Sequence, residues 1–317
     1  MFANCTTFMF PKIRKKIPQI IRQKNIIKMP KKALNPKQSL KIPQAILLTS
    51  KFLSNVSPKL MTKFAAKLFT SPIKHKIPKR ELQMDAQSVQ TKFKVPSIQK
   101  EINVYQYGKS DKKILLVHGW SGRGTQLFKI ADALCKKGYE TISFDAPAHG
   151  KSPGNATMML DFIASILALE KKFGPFEAAI GHSLGGMSVA NAISTGLQVK
   201  SAVLIGSGDI VQDILNDFVA KLKIDPIYSS KLCTYFESRL HDKMDDYSAY
   251  RAAQKIEIPV LVIHDTDDPE VSVKAGKNIY KNLKNGKLLI TNGLGHRKIL
   301  GDEAVITTTL EFIENNN

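Results

Sequence analysis

Gly181-His182-Ser183-Leu184-Gly185 is a G-x-S-x-G pentapeptide, the spacing that stands a serine on a tight turn between a buried strand and the helix after it. Glycines on both sides of such a corner remove Cβ atoms that would strike neighbouring backbone, and so Ser183 Oγ is lifted clear as a nucleophile. The flanks agree. Glu177 to Ile180 is a short apolar run suited to a buried strand, and Leu184 to Ile193 is apolar at helical spacing with Gly196 as a stop. A serine hydroxyl attacks an acyl carbon only when a base takes its proton, and a histidine does this best when a carboxylate fixes its tautomer. Both partners are expected in loops after later strands. The run Asp265-Thr266-Asp267-Asp268-Pro269-Glu270-Val271 offers the acid, and Thr291-Asn292-Gly293-Leu294-Gly295-His296 offers the histidine.

These residues need a sheet to bring them together, and the chain predicts one. Residues 90–95 and 101–107 alternate as strands do, and Lys113 to Val117 is a continuous apolar run of the buried parallel kind. The spacing then predicts a helix from about Thr125 to Lys137, a strand over 141–144, a helix from about Ala156 to Phe173, the Ser183 strand and its helix, and a strand over 202–205. Strand 260–264, helix 273–283, strand 287–290 and helix 302–314 complete the rhythm. Alternation of this kind implies an α/β fold with a doubly wound, mostly parallel sheet, whose sites gather at the carboxyl ends of the strands. Between Gly208 and Ile258 the rhythm lapses into about fifty residues that include Phe218, Tyr228, Tyr235, Phe236, Tyr247 and Tyr250. That is too long for an ordinary connection and reads as a helical cap over the site.

The combination of His118-Gly119-Trp120, Gly181 to Gly185, the Asp268 loop and Gly295-His296 resembles the α/β-hydrolase superfamily over roughly residues 100–314, with serine, acid and histidine in that family's chain order. Members are mostly esterases, lipases, thioesterases and peptidases. The family's usual H-G-x-x-D-x-x-V-P segment, aligned on His264 and Val271, implies Asp268 as the acid, with Asp265 in place of Gly and Ser272 in place of Pro; Asp267 is the alternative. The resemblance also implies an oxyanion hole from the backbone N–H groups of Trp120 and Leu184, and a structural role for the turn Asp145 to Ser152. His118, His149, His182 and His264 are expected to orient loops or to bond near strand ends, while His75 and His241 have no evident partner.

Charge is uneven. Residues 1–80 hold 19 Lys and Arg and no acidic residue, so the net charge of +20 belongs to an N-terminal extension on a nearly neutral body. Within it, Pro11, Pro18, Pro30, Pro36 and Pro43 break residues 1–43 into a loosely docked arm. Met1 to Phe10 lacks the basic start and small-residue cleavage site of a secretory signal, and Met9 or Met29 could serve as the start. Two short helices follow from Gln44 to Phe69, the second opening at Ser57-Pro58. In it Lys59, Lys63 and Lys67 form a stripe opposite Leu60, Met61, Phe64, Leu68 and Phe69. That helix either attaches to an anionic membrane surface or packs its apolar side on the body with solvated lysines, the second being the more common use of such helices. The domain division is therefore a basic extension over 1–80, hydrolase core over 81–208, cap over 209–258 and core over 259–317.

Other chemistries lack their residues. Gly119 to Gly124 has phosphate-loop spacing, but Thr125 stands where lysine is required. There is no H-E-x-x-H or C-x-x-C, and Cys5, Cys135 and Cys233 have no metal-type spacing, so no metal and no cofactor is expected. No run approaches the roughly 18 apolar residues of a membrane span, which with the few cysteines suits a cytoplasmic protein, peripheral to a membrane if the basic helix attaches. The extension lacks the aromatic interleaving of a base-stacking surface, so no nucleic acid is expected. The reading is a serine hydrolase acting on a small acyl substrate through an acyl-enzyme, with Ser183, Asp268 and His296 as the catalytic set. Thioester or peptide cleavage by the same groups is the enzymatic alternative, and a non-catalytic scaffold with a membrane-binding extension is the alternative of another class.

Overall fold

The computed structural model describes residues 42–316 and the backbone of one short strand, β1 (Ile26–Lys28). The expectations for Met1 to Phe10 and for an arm over 1–43 lie outside the described residues, apart from β1 and residues 42–43. The other strands are β2 (Val89–Val95), β3 (Lys100–Tyr107), β4 (Lys113–Val117), β5 (Glu140–Asp145), β6 (Ala178–His182), β7 (Ser201–Ile205), β8 (Val260–Asp265) and β9 (Gly286–Thr291). They form one sheet in the order β1-β9-β8-β7-β6-β4-β5-β3-β2. β2 pairs antiparallel with β3 and β3 antiparallel with β5, and every pairing from β5 to β1 is parallel.

The continuous apolar runs have a simple cause, for both faces of the sheet are covered. Along β4, Leu115 and Val117 enter one core with Ala179, Val262 and the inner face of the helices on that side, whereas Ile114 and Leu116 enter a second core on the opposite face with Ile180 and Ile263. A strand buried on both faces cannot show polar alternation. The helices of the first face are α5 (Met159–Phe173), α6 (Leu184–Ser194), α9 (Ala249–Lys255) and α10 (Val273–Asn282); α4 (Phe128–Lys136) and α12 (Glu303–Glu314) cover the second. Short helices α3 (Leu82–Gln87) and α11 (Gly295–Lys298), which no periodicity announces, sit before β2 and after β9.

The N-terminal pair is α1 (Gln44–Val56) and α2 (Pro58–Thr70), and Ser57 Oγ accepts the N–H of Leu60 as the N-cap of α2. Met61, Ala65 and Ala66 of α2 are fully buried on the body while Lys59, Lys63 and Lys67 are exposed. Leu60, placed on the apolar side by its spacing, is exposed as well. Between β7 and β8 the chain forms α7 (Val211–Leu222), α8 (Ile227–Leu240) and a 3-10 turn at Met244–Tyr247, followed by α9. Of these, α9 packs on α6 and α10 in the body. The aromatic pair Phe218 and Phe236 meets Phe69 of α2, with ring centroids 5.2 and 5.6 Å away, so α2, α7 and α8 are one packed group.

Candidate active site

β4 and β6 are neighbours although β5 lies between them in the chain, so the sheet order reverses at this pair and opens a crevice at their carboxyl ends. Ser183 follows β6 there, as the N-cap of α6, with φ 54° and ψ −119°. This sharp corner is possible because two glycines flank it. A Cβ on Gly181 would lie 2.4 Å from Gly185 O, and one on Gly185 would lie 2.3 Å from Val117 O. The Ser183 N–H donates to Ile205 O at 2.9 Å, which ties the corner to β7. The left-handed φ of a non-glycine residue is a strained conformation of the kind found at functional corners.

The loop after β8 holds three aspartates with three different tasks. Asp265 Oδ1 accepts the N–H groups of Asp267 (2.9 Å) and Gly295 (3.0 Å), and its Oδ2 accepts Thr291 Oγ1–H (2.6 Å) and the Leu294 N–H (3.1 Å). It staples the β8 and β9 loops together. Asp267 Oδ2 accepts only the Gly293 N–H, at 2.9 Å. Asp268 Oδ1 accepts the N–H groups of Glu270 and Val271 at 2.8 and 2.9 Å, which turns Oδ2 toward His296 Nδ1, 2.7 Å away. Both side chains of that pair are almost wholly buried. Burial alone would raise the Asp268 carboxyl, but the hydrogen bond and charge of His296, with the two N–H donors, outweigh it and hold the group below the ordinary carboxylate range. Asp268 is thus an ionised acceptor, and the tautomer it selects places the His296 proton on Nδ1 and leaves the lone pair on Nε2.

Ser183, His296, Trp120 and Leu184 line one cavity of about 600 Å³. Its remaining wall is largely apolar and includes Leu68 and Phe69 of α2, Met187 of α6, and Ile214 and Phe218 of α7. Among the described residues, the N–H groups of Trp120 and Leu184 spend no hydrogen bond on another protein group, whereas their neighbours do: Gly119 N–H donates to Gln126 Oε1 (2.9 Å) and Ser121 N–H to His149 Nε2 (3.0 Å). Two residues with uncommitted amide donors thus line the same cavity as Ser183. Among the described residues no group of three or more His, Cys, Asp or Glu is placed to hold a metal ion.

The other histidines act on loops. His118 Nδ1–H donates to Gly119 O (2.7 Å) and its Nε2 accepts the Ala146 N–H (3.0 Å). His149 holds the Ser121 amide, and His264 Nε2–H donates to Val271 O (3.0 Å). Asp145, buried in its turn, accepts from the Gly124 and Lys151 N–H groups at 2.7 Å each. Two contacts have no counterpart in the sequence reading. His182 Nε2–H donates to the backbone O of His296 at 2.9 Å, so the residue before Ser183 grips the loop that carries His296. Glu270 Oε2 lies 3.9 Å from His296 Nε2, with its other oxygen 3.1 Å from Arg297. Nothing in spacing marks Glu270 out from its acidic run, and a long-range grip through a backbone carbonyl leaves no side-chain signature.

Burial drives these histidines toward neutrality, His149 down to about 4 and His182 down to about 3, with His118 and His264 lowered as well. An unfolded histidine titrates near 6.5, so below that pH the unfolded chain takes up protons that the folded chain refuses. Their contribution is fully present above pH 6.5 and is lost as pH falls toward the folded values. His149 and His182 alone should lower the unfolding free energy by about 3 kcal/mol between pH 7.5 and 5.5. Asp145 and Asp209, whose carboxyls burial raises above the ordinary range, act with the opposite sign, adding stability as pH falls through their raised folded values. Urea unfolding at the two pH values reads this directly, and equal midpoints would contradict it.

Residues 114–300, more than half of the chain, match the family model described as "Alpha/beta hydrolase family". An esterase from Pyrococcus furiosus is similar in structure with a TM-score of 0.59 at 19% identity, over 78% of this chain and 97% of that one. An esterase from Exiguobacterium antarcticum gives 0.57 at 16%, and a bromoperoxidase from Bacillus anthracis 0.55 at 18%, each over 71% of this chain and 100% of the other. Identities this low speak for the fold alone. No curated protein matches the chain in sequence. The matched family model, the mostly parallel sheet and the strand-to-helix serine corner lead to one assignment: the chain belongs to the alpha/beta hydrolase family.

Proposed function

We propose that the protein is a serine hydrolase that cleaves a carboxylic ester or related acyl bond through an acyl-enzyme. The observation that carries this reading is the 2.7 Å pair of His296 Nδ1 and Asp268 Oδ2 in the cavity that Ser183 and the uncommitted Trp120 and Leu184 amides also line. His296 Nε2 takes the proton of Ser183 Oγ as that oxygen bonds to the acyl carbon, and the carbonyl electrons move onto oxygen between the two amides. The alcohol leaves with the proton from Nε2. Water, deprotonated in turn by Nε2, attacks the acyl-Ser183 ester; the second tetrahedral intermediate collapses to acid and free serine. Asp268 stays ionised throughout and stabilises the imidazolium. Thioester or peptide cleavage would use the same groups in the same order.

The wall formed by Leu68, Phe69, Met187, Ile214 and Phe218 supports an uncharged, moderately hydrophobic acyl group, with α2, α7 and α8 acting together as the cover over it. Apolar burial is worth about 0.8 kcal/mol per methylene, so kcat/KM should rise roughly fourfold per added methylene until the cavity is filled. Aryl esters from acetyl to decanoyl measure the series, with a thioester and an aminoacyl amide to define bond preference. Phe69→Leu, which changes wall shape at the α2–α7 contact, should move the chain length at which the rise stops. A flat or falling series, or one that Phe69→Leu leaves unaltered, would refute the apolar acyl pocket.

A further inference from the structure

The helix that carries the lysine stripe spends its apolar side on the body, but the helix before it does not. Leu48, Phe52 and Val56 of α1 recur every four residues on one face and are 61%, 66% and 59% exposed. The opposite face, with buried Ser50 and half-buried Ile46 and Leu53, is the one that packs inward. Helices of a soluble domain normally present polar residues outward, so a three-step apolar ridge facing water marks a surface with a partner. Leu60, the next apolar residue outward on α2, and Ile227 at the start of α8 are also exposed, and Tyr228 Oη–H donates to Ser54 O at 3.3 Å, which seats the end of α1 beside α8.

The surroundings of the ridge define the partner's chemistry. A groove of about 860 Å³ runs between α2 and α8, lined by Lys59, Lys63, Lys231 and Arg239 with no carboxylate among its lining residues. Lys51, Lys59, Lys63 and Lys67 form no ion pair among the described residues, and residues 42–70 contain no Asp or Glu. The acids nearest in sequence to the groove-lining part of α8 are Asp225, which caps the Ile227 N–H, and Glu237, which is held by Lys243 and the Met244 N–H. Eleven further Lys and Arg lie in residues 1–41. A convex apolar ridge bordered by unpaired cations fits a surface with acyl chains beneath anionic headgroups, because the ridge enters the boundary region while the ammonium groups stay among the phosphates.

We infer that α1 docks the protein on anionic lipid bilayers, with Leu48, Phe52 and Val56 inserted and the lysines of α2 and α8 on the headgroups. The position has a consequence for the catalytic cavity. α2 has Lys59 in the basic groove at its first turn and Leu68 and Phe69 in the cavity wall at its last, a separation of about 14 to 15 Å along the helix axis. One rigid helix joins the docking face to the pocket, so an acyl chain leaving the bilayer has a short route to it. Docking itself does not depend on the acyl-transfer reading; the delivery of substrate does.

The test is cosedimentation of the full chain with phosphatidylcholine vesicles, with and without phosphatidylglycerol, at low and at 0.5 M salt. Wild type should bind only the anionic vesicles and should keep part of that binding in high salt. Leu48→Ser/Phe52→Ser/Val56→Ser should partition at least about tenfold more weakly and lose the salt-resistant part, while Lys59→Glu/Lys63→Glu should lose the preference for anionic lipid. Both should retain turnover of a soluble aryl ester, which shows that they fold, and Ser183→Ala should bind vesicles as wild type does. Phe52→Trp should give blue-shifted emission on anionic vesicles. Wild type that stays in solution at low salt, a ridge variant that binds as tightly as wild type, or an unshifted Trp spectrum would each overturn the proposal. So would single-stranded RNA that binds wild type and ridge variant alike and displaces both from vesicles.

Discussion

Ser183→Ala is expected to lower kcat/KM for an aryl ester by roughly 10⁵ to 10⁶ and to leave the fold unchanged. The reason for the first part is that no other hydroxyl is presented at the carboxyl end of β6 on a strained corner beside two uncommitted amides. The second part follows from how the corner is held. Its bonds are all backbone: Ser183 N–H to Ile205 O, and Ser183 O accepting from Gly186 and Met187. Alanine keeps each of them and loses only Oγ. Residual rate above that of water would come from binding and the two amides. Unfolding curves that coincide with wild type, together with activity reduced to that residue, are the expected result. A variant with wild-type turnover would show that the serine corner is not where the chemistry happens.

The second large effect is expected at Asp268. Asn at this position can still accept from the Glu270 and Val271 N–H groups through its oxygen, which turns its NH₂ toward His296 Nδ1. A donor there forces the histidine proton onto Nε2, so the base arrives at Ser183 already protonated, and the imidazolium loses its counter-charge. We expect kcat to fall by roughly 10³ to 10⁴ with KM little changed. Asp267→Asn removes nothing from His296, since Asp267 meets only the Gly293 amide, and should stay within about threefold of wild type. Asp265→Asn disturbs four bonds that hold the two loops and should show itself first as lower stability. If Asp267→Asn were the damaging change and Asp268→Asn silent, the geometric assignment of the acid would be wrong.

Much of this was legible because a parallel sheet does the assembling. Ser183, Asp268 and His296 lie up to 113 residues apart in the chain, yet each follows a strand, and strands of one direction deliver their following loops to one edge. Spacing could not separate Asp268 from Asp267, because which of them meets His296 is decided by a turn in which one carboxylate oxygen is consumed by two amides. Helix starts were read too early for a related reason. α4 begins at Phe128, since the Gly124 N–H is taken by Asp145 and the Thr125 hydroxyl donates to buried Glu81. α5 begins at Met159, since the Thr157 N–H donates to Thr70 O and Asp161 caps the Met158 N–H. These are tertiary bonds that outrank local propensity. The place of Leu68 and Phe69 in the cavity wall was out of reach as well, because α2 precedes the matched part of the chain by more than forty residues and only packing against Phe218 and Phe236 brings it over the site.

The most direct measurement is covalent labelling of the full chain with a fluorophosphonate, followed by mass spectrometry of the modified peptide. Such a reagent phosphonylates a serine only where a base removes its proton and donors stabilise the oxygen that develops charge. We predict one label per chain, on Ser183, formed far more slowly in Asp268→Asn and absent in Ser183→Ala. A wild-type chain that remains unlabelled, or one labelled equally after Ser183→Ala, would contradict the account.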